Sequence, residues 1–284
     1  MLRSLFAGIS GLRVNQVNLD VTGNNIANAN TIGFKSSRTV FSDTLSQMLT
    51  ASSAPDAANG RGGSNPIQVG LGVQVAATNT NFLQGSNQST GGLTDMMLQG
   101  DGMFVVREGN QTVYTRAGAF SWDPDRNLTA PGGGLVQGYT FAADGTRSAA
   151  PGTITLPRND GALPTPQALK SYEIGGDGKI TATWDDDTKT VIAQVAVANF
   201  DNPMGLAKVG GTSFRETSNS GAVQLGVAGE AGRGEIVTGS LEMSNVDLAA
   251  EFTNLILAQR GFQASSRVIT TSDQVLEDLV NIKR

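Results

Sequence analysis

Apolar residues recur at seven-residue intervals at both ends of the chain. Near the start, Leu5, Leu12, Leu19 and Ile26 form one such series, and Leu2 and Ile9 begin the alternate position of an a/d seam. The next alternate positions are Gln16 and Gly23, so the seam weakens there. At the other end Leu241, Leu248, Leu255, Phe262, Ile269 and Leu276 keep the same interval. Phe252 and Val280 occupy the second seam position, which Gln259, Ser266 and Asp273 leave polar. Asp247 stands where an N-cap belongs, and Glu251 follows in the first turn, on the favourable side of the helix dipole. The spacing predicts helices from Leu2 to about Asn30 and from about Asp247 to Ile282. At a rise of about 1.5 Å per residue they would run about 40 and 50 Å.

Between them the period shortens to two. Met103–Val106, Thr112–Thr115, Ile154–Leu156, Ile180–Trp184 and Val191–Val197 are short β-prone runs. Asp101-Gly102, Asp144-Gly145 and Asp177-Gly178 are turn signals, and Pro124 and Pro131 with its glycines punctuate further turns. Thr50 to Pro66 is mostly Ala, Ser, Gly and Asn and reads as an extended linker. The organisation is therefore helical ends over 1–35 and 241–284, a linker over 36–73, and an all-β body over 74–240 with a small outer stub near 135–170. Neither helix has a partner nearby in sequence. The ends either close a monomer as a helical hairpin or stay loose until they pack in an assembly.

Composition narrows the chemistry. The chain has 284 residues, a formal net charge of −5, and neither Cys nor His. Those two zeros exclude a Cys nucleophile, a His base, a Ser-His-Asp triad, disulfides and His- or Cys-ligated metals. The negative balance without a basic run argues against nucleic acid. No apolar run approaches the length of about 18 residues that a membrane helix needs, so no membrane insertion is expected. The run Leu5 to Ile9 is too short for a secretory core. Hydrophobic residues make up 39% and charged residues 16%, which leaves much of the chain polar and uncharged. Such a chain builds a thin core and gains burial from neighbours.

Candidate motifs fail on their own geometry. Asp123, Asp125 and Asn127 alternate like the start of a calcium loop, but Leu128 and Gly134 stand where that loop needs Gly and a bidentate Glu. Asp185, Asp186 and Asp187 are consecutive and read as a hairpin tip. Gly226, Gly229, Gly232 and Gly234 open no apolar helix and precede no Lys-Ser/Thr. No cofactor, metal or catalytic residue is expected, and the chain does not read as an enzyme.

The two ends also carry a resemblance. Leu2-Arg3-Ser4-Leu5, Ser10-Gly11-Leu12 and the run from Leu19 to Lys35 resemble the N-terminal signature of the flagellar rod and hook family. The run from Leu241 to Arg284 resembles the matching C-terminal signature, and Gln99 to Val106 with Tyr114 to Gly118 fit the β region. Asn24 to Thr31, Phe41 to Gln47 and Asn65 to Gly72 together are similar to the hook members rather than the distal-rod members. The outer domain that decorates longer hooks would be a stub or missing.

The resemblance implies a mixed α and β fold, with long N- and C-terminal helices forming a coiled-coil-like inner layer, and with an all-β central domain. It implies a homopolymer that forms a flexible helical tube, transmits torque from rod to filament and conducts exported subunits. The implied partners are further copies of the chain, the rod and hook-filament junction proteins, the hook cap during assembly and the flagellar type III export apparatus. The implied location is the flagellar hook and basal body, outside the cell after export without a cleaved signal peptide. Carried onto this sequence, the assembly interface would comprise Leu5, Ile9, Leu12, Leu19, Asn24, Asn25, Ile26 and Asn28 on the first helix. On the second it would comprise Leu248, Phe252, Leu255, Gln259, Phe262, Ile269 and Leu276.

Overall fold

The computed structural model describes residues 2–55, 62–142, 145–159 and 168–282. The fold is mixed α and β, and the chain divides into two compact units. One comprises Met1–Ala27, Ser37–Thr80 and Asp247–Arg284; the other comprises Asn28–Ser36 and Asn81–Val246.

The first unit holds both long helices, α1 (Leu2–Ala27) and α2 (Leu248–Ile282). Helix α1 stops short of Asn30 because the Asn-rich segment turns: the Thr31 amide donates to the Asn28 carbonyl at 3.1 Å. The Asp247 carboxylate caps α2, accepting from the amides of Ala249 (2.9 Å) and Ala250 (3.2 Å). The helices run antiparallel. Ser4 meets Ser272 through a hydroxyl pair at 3.3 Å, and the Asn25 amide donates to Glu251 at 3.1 Å near the other end.

The segment read as a linker is extended but paired. Ser37–Asp43 runs antiparallel to Val73–Thr80, with Ser37 opposite Thr80 and a bulge between Val40 and Phe41. Ser46–Thr50 pairs with Ile67–Gly70 as an exposed hairpin arm. Helix α1 lies on the first of these ribbons. The Asn25 side chain bonds both backbone groups of Ser37, donating at 2.7 Å and accepting at 3.0 Å, and Thr39 donates to Asn18 at 2.7 Å. Residues 56–61, within the expected linker, lie outside the described residues.

The second unit is the β body. Among the described residues every strand pair is antiparallel. The largest sheet has 12 strands. Its axis is the long strand Lys189–Asn199, which pairs with Lys179–Trp184 and Leu135–Thr140 along its first half and with Met103–Glu108 and Gln224–Val227 along its second. Alternation along these strands explains the packing. Phe104, Val106, Val195 and Val197 enter one core; Met103, Val105, Ala196 and Ala198 enter a second on the opposite face. Both faces are covered, so the strands read as near-continuous apolar runs.

Turns follow the chemistry of their residues. Gly102 and Gly178 take φ of 127° and 77° after their aspartates. Asp186 and Asp187 form a hairpin tip, with the Thr188 amide and hydroxyl both donating to Asp186. Asp123 accepts from the Asn127 backbone at 2.6 Å and from its amide at 3.1 Å, which closes a turn rather than a calcium loop. Asp144 and residues 160–167, which belong to the expected turn and outer stub, lie outside the described residues; the stretch Leu135–Thr140, also placed in the stub, is a buried central strand.

Candidate assembly interface

Helix packing sets the interface. The residues of α2 turned to α1 include Glu251, Leu255, Ala258, Ser265, Ile269, Ser272 and Leu276, spaced alternately by four and three once Phe262 is included, with Gly261 and Ser266 half-buried beside them. Leu255, Phe262, Ile269 and Leu276 therefore lie on or beside the seam. The second seam position corrects the pattern read from the sequence: it falls one residue earlier, on Glu251, Ala258, Ser265 and Ser272. Phe252 stands 51% exposed and Gln259 and Val280 are exposed as well.

The physical reason is close approach. A Cβ built on Gly8 would lie 3.0 Å from Ile269 Cγ1, one on Gly11 would lie 2.8 Å from Ser265 Oγ, and one on Gly261 would lie 2.7 Å from Asn15 Oδ1. Ala258 is 2% exposed. Small residues let the two backbones come together, and larger apolar side chains are displaced to the flanks. On α1 the flanking Leu5, Ile9, Leu12, Leu19 and Ile26 are half-buried. Asn25 is buried, Asn28 half-buried, and Asn24 exposed.

The packed pair leaves a large apolar surface uncovered. Leu248, Phe252, Ile256, Leu257, Val275 and Leu279 of α2 are exposed, and Phe6 of α1 is 65% exposed. Phe6, Ile9, Val14, Val17, Leu71 and Val75 line a groove of about 450 Å³ between α1 and the ribbon strand Val73–Thr80. A helix that is apolar over more than one stripe belongs in a larger core than one copy supplies.

The body contains a second arrangement that the sequence pattern missed. Lys35, in the short segment Asn28–Ser36, is buried with its Nζ 2.6 Å from Glu242 Oε1 and 2.8 Å from the Leu83 carbonyl. Arg116 donates to the other Glu242 oxygen at 3.4 Å and to the carbonyls of Leu98 (3.1 Å) and Gly100 (2.6 Å). The Gly85 amide adds a third donor to the Glu242 carboxylate at 2.9 Å. Burial lowers the Lys35 pKa from its ordinary value, with Glu242 opposing, and burial lowers that of Arg116 in the same way. Gly33 is required beside them: its φ is 68°, and a Cβ there would lie 2.5 Å from the Ala117 nitrogen. The only sequence signal was Lys35 itself, a lone charge after a long uncharged run. Among the described residues no group of carboxylates could hold a metal ion, and no helix is long and apolar enough to cross a membrane.

Three family models match the chain. "Flagella basal body rod protein" covers residues 5–35, "Flagellar hook protein FlgE/F/G D1 domain" covers 97–182, and "Flagellar basal body rod FlgEFG protein C-terminal" covers 237–282. The chain is 43% identical over 286 residues to the flagellar basal-body rod protein FlgG of Bacillus subtilis, with 100% of each chain covered. It is 34% identical over 288 residues to FlgG of Borreliella burgdorferi, again with 100% of each covered. It is also 32% identical over 443 residues to the flagellar hook protein FlgE of the same organism, with 100% of each covered.

Proposed function

Because the chain belongs to the family of flagellar basal-body rod and hook proteins, we propose that it is the structural subunit of the flagellar hook. On this reading many copies polymerise into a flexible helical tube that carries torque from rod to filament and lets exported subunits pass. The terminal helices of neighbouring copies pack together as a coiled-coil-like layer. The observation that carries this reading is the apolar surface that the α1–α2 pair leaves exposed, Phe252, Ile256, Leu257 and Leu279 among it. In a tube those side chains meet neighbouring copies. The proposed interface residues divide accordingly: Leu5, Leu12, Leu19, Leu255, Ile269 and Leu276 hold the helix pair, Phe262 at the edge of the seam is shared with other copies, and Phe252 faces outward to them. The remaining proposed contacts are the rod, the hook-filament junction, the cap and the export apparatus, with export proceeding without a cleaved signal.

One observation favours a second reading, a subunit of the distal rod. The rod-named relatives align end to end over 286 and 288 residues, whereas the hook-named relative needs 443. Electron microscopy of basal bodies from a strain lacking the chain separates the two. Complete rods without hooks support the hook reading. Truncated rods overturn it in favour of the rod. Normal hooks and rods overturn both.

A further inference from the structure

The groove on α1 has a basic rim and an apolar floor. Residues 2–17 carry two charges, Arg3 and Arg13, both basic. Arg13 lines the groove together with Phe6, Ile9, Val14, Val17, Leu71 and Val75. The N-terminal end of α1 adds the positive end of its dipole. Arg13 is exposed and forms no ion pair among the described residues.

The last turns of α2 have the complementary character. Residues 273–282 carry three charges, Asp273, Glu277 and Asp278, all acidic, and the two basic residues Lys283 and Arg284 follow only after Ile282. Val268, Val275, Leu279 and Ile282 follow one another at intervals of seven, four and three, which places them on one face of the helix, with Asp278 beside them. All four apolar side chains are exposed, Ile282 at 85%. Leu279 continues the seam series of Ser265 and Ser272, and Val275, Leu279 and Ile282 lie past Ser272, the α2 residue that hydrogen-bonds Ser4 in the first turn of α1. The copy that owns this stripe therefore does not cover it.

We propose that the groove beside α1 receives the last turns of α2 from a second copy of the chain. Val275, Leu279 and Ile282 fill the apolar floor, and Asp278 reaches Arg13. The contact is heterologous, with different surfaces on the two copies, so it propagates rather than closing on itself. It rests on the polymer reading above and names the surfaces that such a polymer would join.

The chain has no Cys, so single-cysteine variants report contacts cleanly. Phe6→Cys and Leu279→Cys full-length proteins are mixed, polymerised and oxidised. A disulfide-linked species that contains one of each, in excess of either self-linked form, supports the proposal. Linkage of Phe6→Cys instead to a Leu49→Cys partner, on the exposed hairpin, assigns the groove to a different occupant and overturns it. Charge reversal gives an independent reading. Arg13→Glu and Asp278→Arg should each raise the critical concentration for polymerisation about tenfold or more, and the double variant should restore it toward the parent. A double variant no better than the singles overturns the proposal and leaves the polymer reading intact. A parent chain that never polymerises fails that reading instead.

Discussion

Lys35 Nζ lies 2.6 Å from Glu242 Oε1, and neither side chain is exposed to solvent. The pair joins positions 207 residues apart, so the body is complete only when both signature ends of the chain have reached it. Further bonds support the join. The Gly33 amide donates to the Glu242 carbonyl at 2.8 Å, the Ser36 amide to Asn245 at 2.8 Å, and the Lys208 amine to the Lys35 carbonyl at 3.1 Å. The nine-residue insert Asn28–Ser36 is therefore tied into the body by polar contacts.

Removing one partner of such a pair strands charge in a dry site, which costs about 3–5 kcal/mol. The two removals are not equivalent. Lys35→Met leaves Glu242 still paired with Arg116, whereas Glu242→Gln leaves Lys35 and Arg116 together with no anion between them. Glu242→Gln should cost the upper end of that range and Lys35→Met the lower. Both Trp residues, Trp122 and Trp184, lie in the body, so urea unfolding followed by Trp fluorescence reads the effect. An equal or reversed order would refute this charge balance.

How much of this was legible follows from what each residue advertises. The α2 helix announced itself through the seven-residue series of Leu and Phe, and the antiparallel strands through alternating Val, Thr and Tyr. The face that α2 turns to α1 did not. Phe252 attracts attention because it is apolar, yet the positions of closest approach select Ala258, Gly261 and Ser265, whose small size carries almost no hydrophobic signal. Glu242 ends a short buried strand, Ser240–Glu242, with its partners over a hundred residues away, and no local pattern relates them. The pairing of Ser37–Asp43 with Val73–Thr80 was hidden in the same way, by Gly and Ser composition between the strands.

Two buried groups give the body opposite responses to alkali. Burial lowers the Lys35 pKa below its ordinary 10.5, so just beneath that pH the unfolded chain holds a proton that the folded chain has released. Stability should therefore rise with pH across that window, between the lowered folded value and 10.5. Burial pushes Tyr114 up to about 12 from 10.0, with Glu216 adding to the shift. Between those values the folded state keeps a proton that the unfolded state loses, so stability should fall. Tyr114→Phe should remove the fall between pH 10 and about 12, and Lys35→Met should flatten the rise below it. Trp-monitored urea midpoints across that range decide both; a parent-like decline in Tyr114→Phe rules out the tyrosine.

Close approach at the helix pair makes small residues there sensitive to enlargement. Ala258→Leu forces a larger side chain into a seam already in contact, at a cost of about 1–3 kcal/mol. The loss should appear as reduced helicity at 222 nm and reduced polymerisation, with the Trp transition of the body unchanged. Asp186→Ala, at an exposed hairpin tip, should change neither. If Ala258→Leu retains parent helicity and assembles normally, the helices do not pack through this seam in solution.

Phe262 and Leu255 share the seven-residue series but differ in what one copy does with them. Phe262 is 38% exposed, whereas Leu255 is half-buried against α1. Truncating a fully buried Phe costs about 3–5 kcal/mol. In the separate copy Phe262→Ala forfeits only part of that, because 38% of the residue's surface already meets water. In the polymer the ring is covered, and the loss recurs in every subunit. Phe262→Ala should therefore lower monomer helix stability by about 1 kcal/mol or less while raising the critical concentration at least about tenfold, which corresponds to about 1.4 kcal/mol per subunit contact. Leu255→Ala should show the reverse emphasis, with the helix pair weakened first and assembly weakened as a consequence. Light scattering of the polymer beside thermal helicity of the monomer measures both. If Phe262→Ala assembles like the parent and instead melts the monomer helices, Phe262 serves the intramolecular pair and the outward face lies elsewhere on α2.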